Sequence, residues 1–475
     1  MQSTAQQAEA IAFETDVPPR LDRLPWSRWH LRMATALGVT FLLDGLEGGV
    51  GGSLSGALQS VTTLHLTDAQ LGIASSGYLG GTVLGALLFG YLADVYGRKS
   101  LFFWTLAVYV CATAATALSW NLATFTLCRV LTGAGIGGEY TAITSAIDEL
   151  IPARVRGTAN LVIGSTFWVG VILGSLVAVG FLSDSMFGLR LGWRFAMLSG
   201  VPIAIVVLFM RRFIPESPRW LLTHGRVEEA TAIVEGIEQS VHAQFGSLAP
   251  VPHAITLQRD VRSTLSKVGL LLNRKNRPRA LLCLGLTMAQ SFFYNSVFFS
   301  STLVLLRFYG VSAAHAGVLF LPIAFTNFVG PVLLSRLFDS VGRRVMISLN
   351  FCLTGVVFAV SSVLFVQGHL STVAQVAFWA ASFFFAASAA GSAYLTTSEL
   401  FPQPIRASAI AIFYAAGTLL GGVLGPAVFG MLLNRGERAP IFYGFMASAL
   451  IMLLAGVAQA IWGVAAERKP LEEIA

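Results

Sequence analysis

Apolar runs long enough to cross a lipid bilayer, about 20 residues each, recur along the whole of this chain. About twelve can be placed, at 31–56, 70–93, 101–119, 123–147, 157–182, 192–212, 280–306, 315–335, 345–366, 373–396, 406–433 and 440–465. No other feature narrows the possible folds as much. In lipid every backbone polar group must find its partner within the protein, which leaves helix bundles or closed barrels, and runs of this length are helices. Charge is correspondingly scarce: 12% of the 475 residues are charged, against about 25% in soluble domains. The expectation is an all-α membrane protein of twelve transmembrane helices.

The distribution of the remaining charge sets the topology. Arginine and lysine gather on alternate connections: Arg98 with Lys99, Arg154 with Arg156, Arg274 to Arg279, Arg343 with Arg344, Arg406, and Arg468 with Lys469. The intervening connections "ALQSVTTLHLTDAQ" and "VQGHLST" have none, although Arg435 and Arg438 are exceptions. Cytoplasmic loops carry such an excess. Both termini and the long 215–279 loop are therefore expected in the cytoplasm of a multi-pass cytoplasmic (inner) membrane protein. The net charge of +7 is then a topology signal, and no nucleic-acid partner is predicted. The polar first 30 residues, with Pro18 and Pro19, read as a tail without a cleavable signal peptide. Cys111, Cys128, Cys283 and Cys352 all lie inside apolar runs without paired spacing, so neither a disulfide framework nor a metal site is predicted.

The chain also repeats itself. "GYLADVYGRKS" (90–100) recurs as "SRLFDSVGRRV" (335–345), pairing Asp94 with Asp339 and Arg98 with Arg343 at an offset of 339 − 94 = 245. "DELIPARVRGTA" (148–159) recurs as "SELFPQPIRASA" (398–409), pairing Glu149 with Glu399 and Arg156 with Arg406 at 406 − 156 = 250. Two matches at nearly one offset indicate six helices repeated in parallel. The divisions expected are a tail (1–30), a six-helix half (31–213), a central loop with an amphipathic helix (214–279), a second six-helix half (280–466) and a tail (467–475). Parallel halves of this kind belong to carriers that rock around a site at the midplane.

On these motifs the sequence resembles the major facilitator superfamily over essentially its whole length. "GYLADVYGRKS" is similar to that superfamily's loop between its second and third helices. "PESPRWLLTHGRVEEA" (215–230) and "RVLTGAGIGGEY" (129–140) resemble segments of its sugar-porter-like branch, and "AYLTTSELFPQPIRA" looks closer to the metabolite:proton symporters. The resemblance implies the major facilitator fold and transport, not an enzyme, with no cofactor. Its partners would be a small-molecule substrate, protons and the bilayer, and the protein would be a monomer. The repeated charges then read as a cytoplasmic gate of Asp94, Arg98, Glu149, Arg156, Asp339, Arg343, Glu399 and Arg406, whose ion pairs break when the inside opens. Asp94 and Asp339 precede glycine turns, where a carboxylate caps the next helix.

Inside the membrane the charges are Asp44, Glu47, Arg129 and Glu139. Each costs about 2.5–3.5 kcal/mol at the bilayer centre even on the mildest scale. Helical rise puts Asp44 about 20 Å from the cytoplasmic side and Arg129 about 10 Å below the outer surface, depths that coincide in a core of about 30 Å. Asp44 is therefore expected to pair with Arg129. Protonation would release the arginine and bias the carrier toward another state. The resemblance carries the proton role to Asp44 and Arg129; Glu47 is either a second titrating group or a substrate contact. The glycines of "GAGIGG" (133–138) lie in a helix with no strand before it, so they predict close helix packing and not a nucleotide site.

Aligning the seventh run on the first puts Asn295 opposite Asp44 (295 − 44 = 251) and Phe298 opposite Glu47. Charge work is thus confined to the N-terminal half. Gln290, Tyr294 and Asn295 offer hydrogen bonds, and Phe293, Phe298 and Phe299 offer stacking surfaces. With Glu139, the residues Gln290, Tyr294, Asn295 and Phe298 form the expected substrate site. The sugar porters' longer amide and glycine pattern is only partly matched, with Phe293 replacing a glycine. The expectation is proton-coupled symport of a small organic solute, an organic acid or similar metabolite. The alternatives are a sugar:proton symporter, a uniporter, an exporter of amphipathic compounds and, from another class, a non-transporting nutrient sensor.

Overall fold

The computed structural model describes residues 12–183, 185–251, 254–258, 273–274, 276–401 and 403–464. Its long helices begin where the sequence supplies a side chain to satisfy the first free N–H groups. Thr67 accepts from the Gln70 amide at 3.2 Å while Gln70 returns an acceptor to Thr67 at 2.9 Å, starting the second span, Asp68–Tyr96. Asn121 accepts from Thr124 at 2.9 Å and starts the fourth, Leu122–Leu150. Where the repeated motif demands a turn between two spans, Gly97 and Gly342 adopt φ of 88° and 113°, a region open to glycine and strained for other residues. They separate the second span from the third (Arg98–Ala117) and the eighth (Ala313–Ser340) from the ninth (Arg343–Val366).

The remaining spans are the first (Arg28–Ser53), fifth (Ala153–Leu182), seventh (Arg277–Tyr309), tenth (Thr372–Leu400) and twelfth (Arg438–Trp462). The sixth and eleventh are segmented. The sixth runs Gly188–Leu198, Gly200–Met210 and a 3₁₀ turn Arg211–Phe213, and the eleventh runs Gln403–Gly417, a π segment Thr418–Val423, and Leu424–Asn434. Among the described residues, eleven helices are long and apolar enough to cross a membrane. The fourth span completes the twelve; its 29 residues carry Arg129, Glu139 and four glycines between 133 and 138, which dilute its hydropathy. Expected and observed boundaries differ by a few residues, most at the end of the eighth span, Ser340 against 335.

Helix pairing follows the glycines. The first span packs on the fifth and the second on the fourth. A Cβ at Gly45, Gly49, Gly170 or Gly174 would overlap the facing backbone of the first pair, and one at Gly81, Gly85, Gly133 or Gly137 that of the second. Such seams gain dispersion contacts where lipid offers no hydrophobic driving force. The second half pairs ninth with twelfth and eighth with tenth. The halves meet where the fifth span packs on the eighth and the second on the eleventh. All this is the twelve-helix, two-repeat architecture of the major facilitator fold.

The face bearing the 214–276 connection is called here the loop face, and the opposite one the far face. On the loop face, Val227–Phe245 forms the expected amphipathic helix, burying Ala230, Val234, Ile237 and Val241 at helical spacing. The connection after it pairs with the tail: Ile255–Gln258 is a strand antiparallel to Ala12–Thr15. Arg20 and Arg23 also reach Glu238 at 2.5 Å each. A local reading of the connector could not anticipate a partner more than 200 residues away.

Candidate functional site

Among the described residues, the charges buried inside the membrane-spanning bundle lie in the N-terminal half, on the first, fourth and sixth spans. Arg129, 4% exposed, forms an ion pair with Glu47, 1% exposed. Its guanidinium carbon lies 4.4 Å from the centre of the Tyr78 ring, a cation–π contact. Gly51 makes room for it, since a Cβ there would sit 3.2 Å from Arg129 Nη2. The expected Asp44–Arg129 pair is therefore corrected: Arg129 is held by Glu47. The two acids are three residues apart, about 4.5 Å of rise, less than an arginine side chain reaches, so depth alone did not separate them.

Asp44 is 3% exposed, and among the described residues its Oδ1 has no hydrogen-bond partner. It interacts electrostatically with Glu47 and with Arg211, at the end of the sixth span. Arg211 is 2% exposed, forms an ion pair with Glu139, and stands 5.1 Å from the Phe102 ring centre. Glu139 is 0% exposed and paired with Arg211, a partner the sequence reading did not give it. Sequence reading missed Arg211 because "RRF" at a span end looks like topology-setting charge. The available signal was the imbalance of three carboxylates, Asp44, Glu47 and Glu139, against Arg129 alone.

In the second half, Tyr294 donates to Asn327 Oδ1 at 2.6 Å. The Asn295 amide donates to the Ser291 carbonyl at 2.8 Å, and the Gln290 amide to Ser291 Oγ at 3.0 Å. Phe293 belongs to the C-terminal core, packed on Phe358 and Phe383 at 5.0 and 5.1 Å. Tyr294 and Phe298 instead meet Trp168 of the fifth span, with ring centres 5.9 and 6.2 Å apart. Tyr140 stacks on Tyr414 of the eleventh span at 4.9 Å. Aromatic rings from both halves thus face one another across the central seam.

On the loop face Arg98 pairs with Glu149, which also accepts from Ser217 Oγ. This pair joins two spans of one half. The cap on the third span is Glu216, accepting from the Arg98 and Lys99 amides at 2.9 and 3.2 Å. Of the other expected gate residues, the side chains of Asp94, Arg156, Asp339, Glu399 and Arg406 lie outside the described residues; Arg343 begins the ninth span. The far face holds a tie that the sequence did not suggest: Arg307 of the seventh span pairs with Asp68 of the second, and Gln59 donates to the same carboxylate. Ser76 Oγ donates to the Val423 carbonyl at 2.7 Å and Thr302 Oγ1 to the Gly52 carbonyl at 3.2 Å, also between halves.

The family described as sugar (and other) transporter matches residues 50–474. The niacin transporter NiaP of Acinetobacter baylyi is 28% identical over 462 residues, 97% of this chain and 99% of that protein. The arabinose-proton symporter of Bacillus subtilis is 25% identical over 420 residues, 84% and 86% of the two chains. Among solved structures, the major facilitator superfamily proton:xylose symporter XylE superposes with a TM-score of 0.75 at 20% identity, covering 94% of this chain and 98% of that one.

Proposed function

From the premise that the chain belongs to the sugar (and other) transporter family of the major facilitator superfamily, and is a membrane transporter of sugars or metabolites and not an enzyme, we propose that it carries a small organic acid with a planar ring inward together with protons. The observation that carries the coupling is Asp44, a buried carboxylic side chain whose Oδ1 has no hydrogen-bond partner among the described residues, one helical turn from Glu47, which already engages Arg129. A lone carboxylate in that setting is stabilised by taking a proton. Arg129 is thereby a fixed strut rather than a partner that Asp44 releases.

The planar ring is supported by Trp168 and Tyr294 facing each other from opposite halves and by the similarity to a niacin transporter. Such rings supply flat apolar contact to a solute that enters as the halves separate, while Asn295 and Gln290 bring polar edges. A sugar is the second reading, favoured by those two amides and by the similarity to an arabinose-proton symporter. The orientation proposed places the loop face in the cytoplasm, as the arginine-rich connections require. Alternating access then opens the far face to solute and protons and the loop face to release them.

The test is thermal stabilisation of the purified protein by nicotinate, benzoate, aliphatic carboxylates, xylose and arabinose, followed by proteoliposome uptake of each hit. Stabilisation by ring acids, with accumulation only under an inward proton gradient, is the expected result. Stabilisation by pentoses alone would replace the substrate class, and uptake indifferent to the gradient would overturn the coupling.

A further inference from the structure

One buried ion pair has no part in the coupling just described. Glu139 and Arg211 are 0% and 2% exposed, and burying two charges is costly even when they are paired. The pair lies inward of Glu47–Arg129: on the fourth span Glu139 follows Arg129 by ten residues, about 15 Å of rise. Asp44 interacts electrostatically with one member of each pair, Glu47 and Arg211. The first span packs directly on the turn that carries Arg211.

Among the described residues, the charged groups that act on Asp44 are Glu47, from its own helix, and Arg211, from the sixth span; each is paired with a residue of the fourth span, Arg129 or Glu139. The phenols of Tyr78, Tyr109 and Tyr414 come from the second, third and eleventh. Three carboxylates thus meet two guanidiniums. Fully ionised, the cluster has one negative charge in excess, a state that burial penalises; one proton makes it neutral.

We propose that Arg211 is a positioning residue for proton release, for whose guanidinium Asp44 and Glu139 compete. While Glu139 holds Arg211, Asp44 keeps its proton. When Arg211 turns to Asp44, the O–H bond breaks, the proton passes to water on the loop face, and the new carboxylate is matched by the guanidinium. Arg211 touches neither solute nor proton and acts only through Asp44. The inference rests on the reading of Asp44 as the proton acceptor.

The test needs no substrate. Infrared difference spectra of the purified protein, recorded during a pH titration, report the carbonyl stretch of a protonated carboxyl, and Asp44→Asn identifies the band that belongs to Asp44. Arg211→Gln removes a cation from Asp44, so the midpoint of that band should move to higher pH by about one unit, a tenfold tighter hold on the proton. Glu139→Gln removes a competing anion and should move it to lower pH by a similar amount. Arg211→Lys, which keeps the charge, should stay near wild type and serves where the glutamine variant does not fold. If no band disappears in Asp44→Asn, the underlying reading of Asp44 is wrong. If the band is present but the Arg211 and Glu139 variants leave it in place, or move it the same way, the competition is wrong while the proton site stands.

Discussion

Three residues apart on one helix, Asp44 and Glu47 have different environments and so different work. Glu47 is matched to Arg129, and removing one partner of a buried pair typically costs about 3–5 kcal/mol because the other charge is stranded. Glu47→Gln is therefore expected to lower the thermal unfolding temperature of the purified protein by several degrees. Asp44 has no such partner on Oδ1, so Asp44→Asn, which replaces a protonated carboxyl by a neutral amide, should unfold near the wild-type temperature while losing gradient-driven accumulation. Equal destabilisation by both changes would mean that Asp44 is part of the strut. In the proposed function, with Arg129 occupied by Glu47 and Tyr78, solute recognition is assigned to the amides and rings of the seventh span and to Trp168.

Two elements show how local sequence is converted into packing. Along the second span, Gly80 meets nothing within 4 Å of an added Cβ, whereas at Gly85 that atom would overlap the Ala134 carbonyl. Gly80→Ala should leave stability unchanged, while Gly85→Ala must push the second and fourth spans apart, an overpacking cost of about 1–3 kcal/mol or more; equal unfolding temperatures would refute the seam. The loop-face helix Val227–Phe245 carries Glu238, which holds the N-terminal tail. Burial alone would raise the Glu238 carboxyl, but hydrogen bonds and charge from Arg20 and Arg23 overcome it and hold it below the ordinary glutamate value. A carboxyl lowered by folding contributes stability above its unfolded value, about 4.3, and loses it as pH falls through the folded one. Hydrogen exchange at Ala12–Thr15 should therefore stay slow from pH 8 to 5 and rise only in more acid solution. Glu238→Gln should speed it at neutral pH, where the wild-type carboxylate is ionised, and converge on wild type in acid; an unchanged rate at neutral pH would show that strand pairing alone holds the tail.

At the scale of the whole molecule, the two halves are joined on the far face by Asp68–Arg307 and by the Ser76 and Thr302 hydrogen bonds. A partly exposed pair, with 39% of the Arg307 side chain accessible, is worth at most about 1 kcal/mol, so Arg307→Gln should shift the opening equilibrium by up to about fivefold. Ser75→Cys, placed in a background without the four native cysteines, should react correspondingly faster with an impermeant thiol reagent, and an unchanged rate would mean that the pair does not hold this face. Much of this architecture was written in one dimension. Run length fixed the spans, the two recurring motifs at offsets of 245 and 250 fixed the parallel halves, and the glycines of "GAGIGG" foretold close packing of the fourth span. Those are properties of neighbouring residues, which a linear pattern records. Which carboxylate meets which guanidinium is different, because it depends on how each helix is rotated and how far a side chain reaches. A depth estimate good to one helical turn could not choose between Asp44 and Glu47, nor see that Arg211 folds back onto Glu139. The Asp68–Arg307 tie and the tail strand depend on segments more than 200 residues apart. Only the packed bundle, by setting those rotations and bringing distant segments together, decided them.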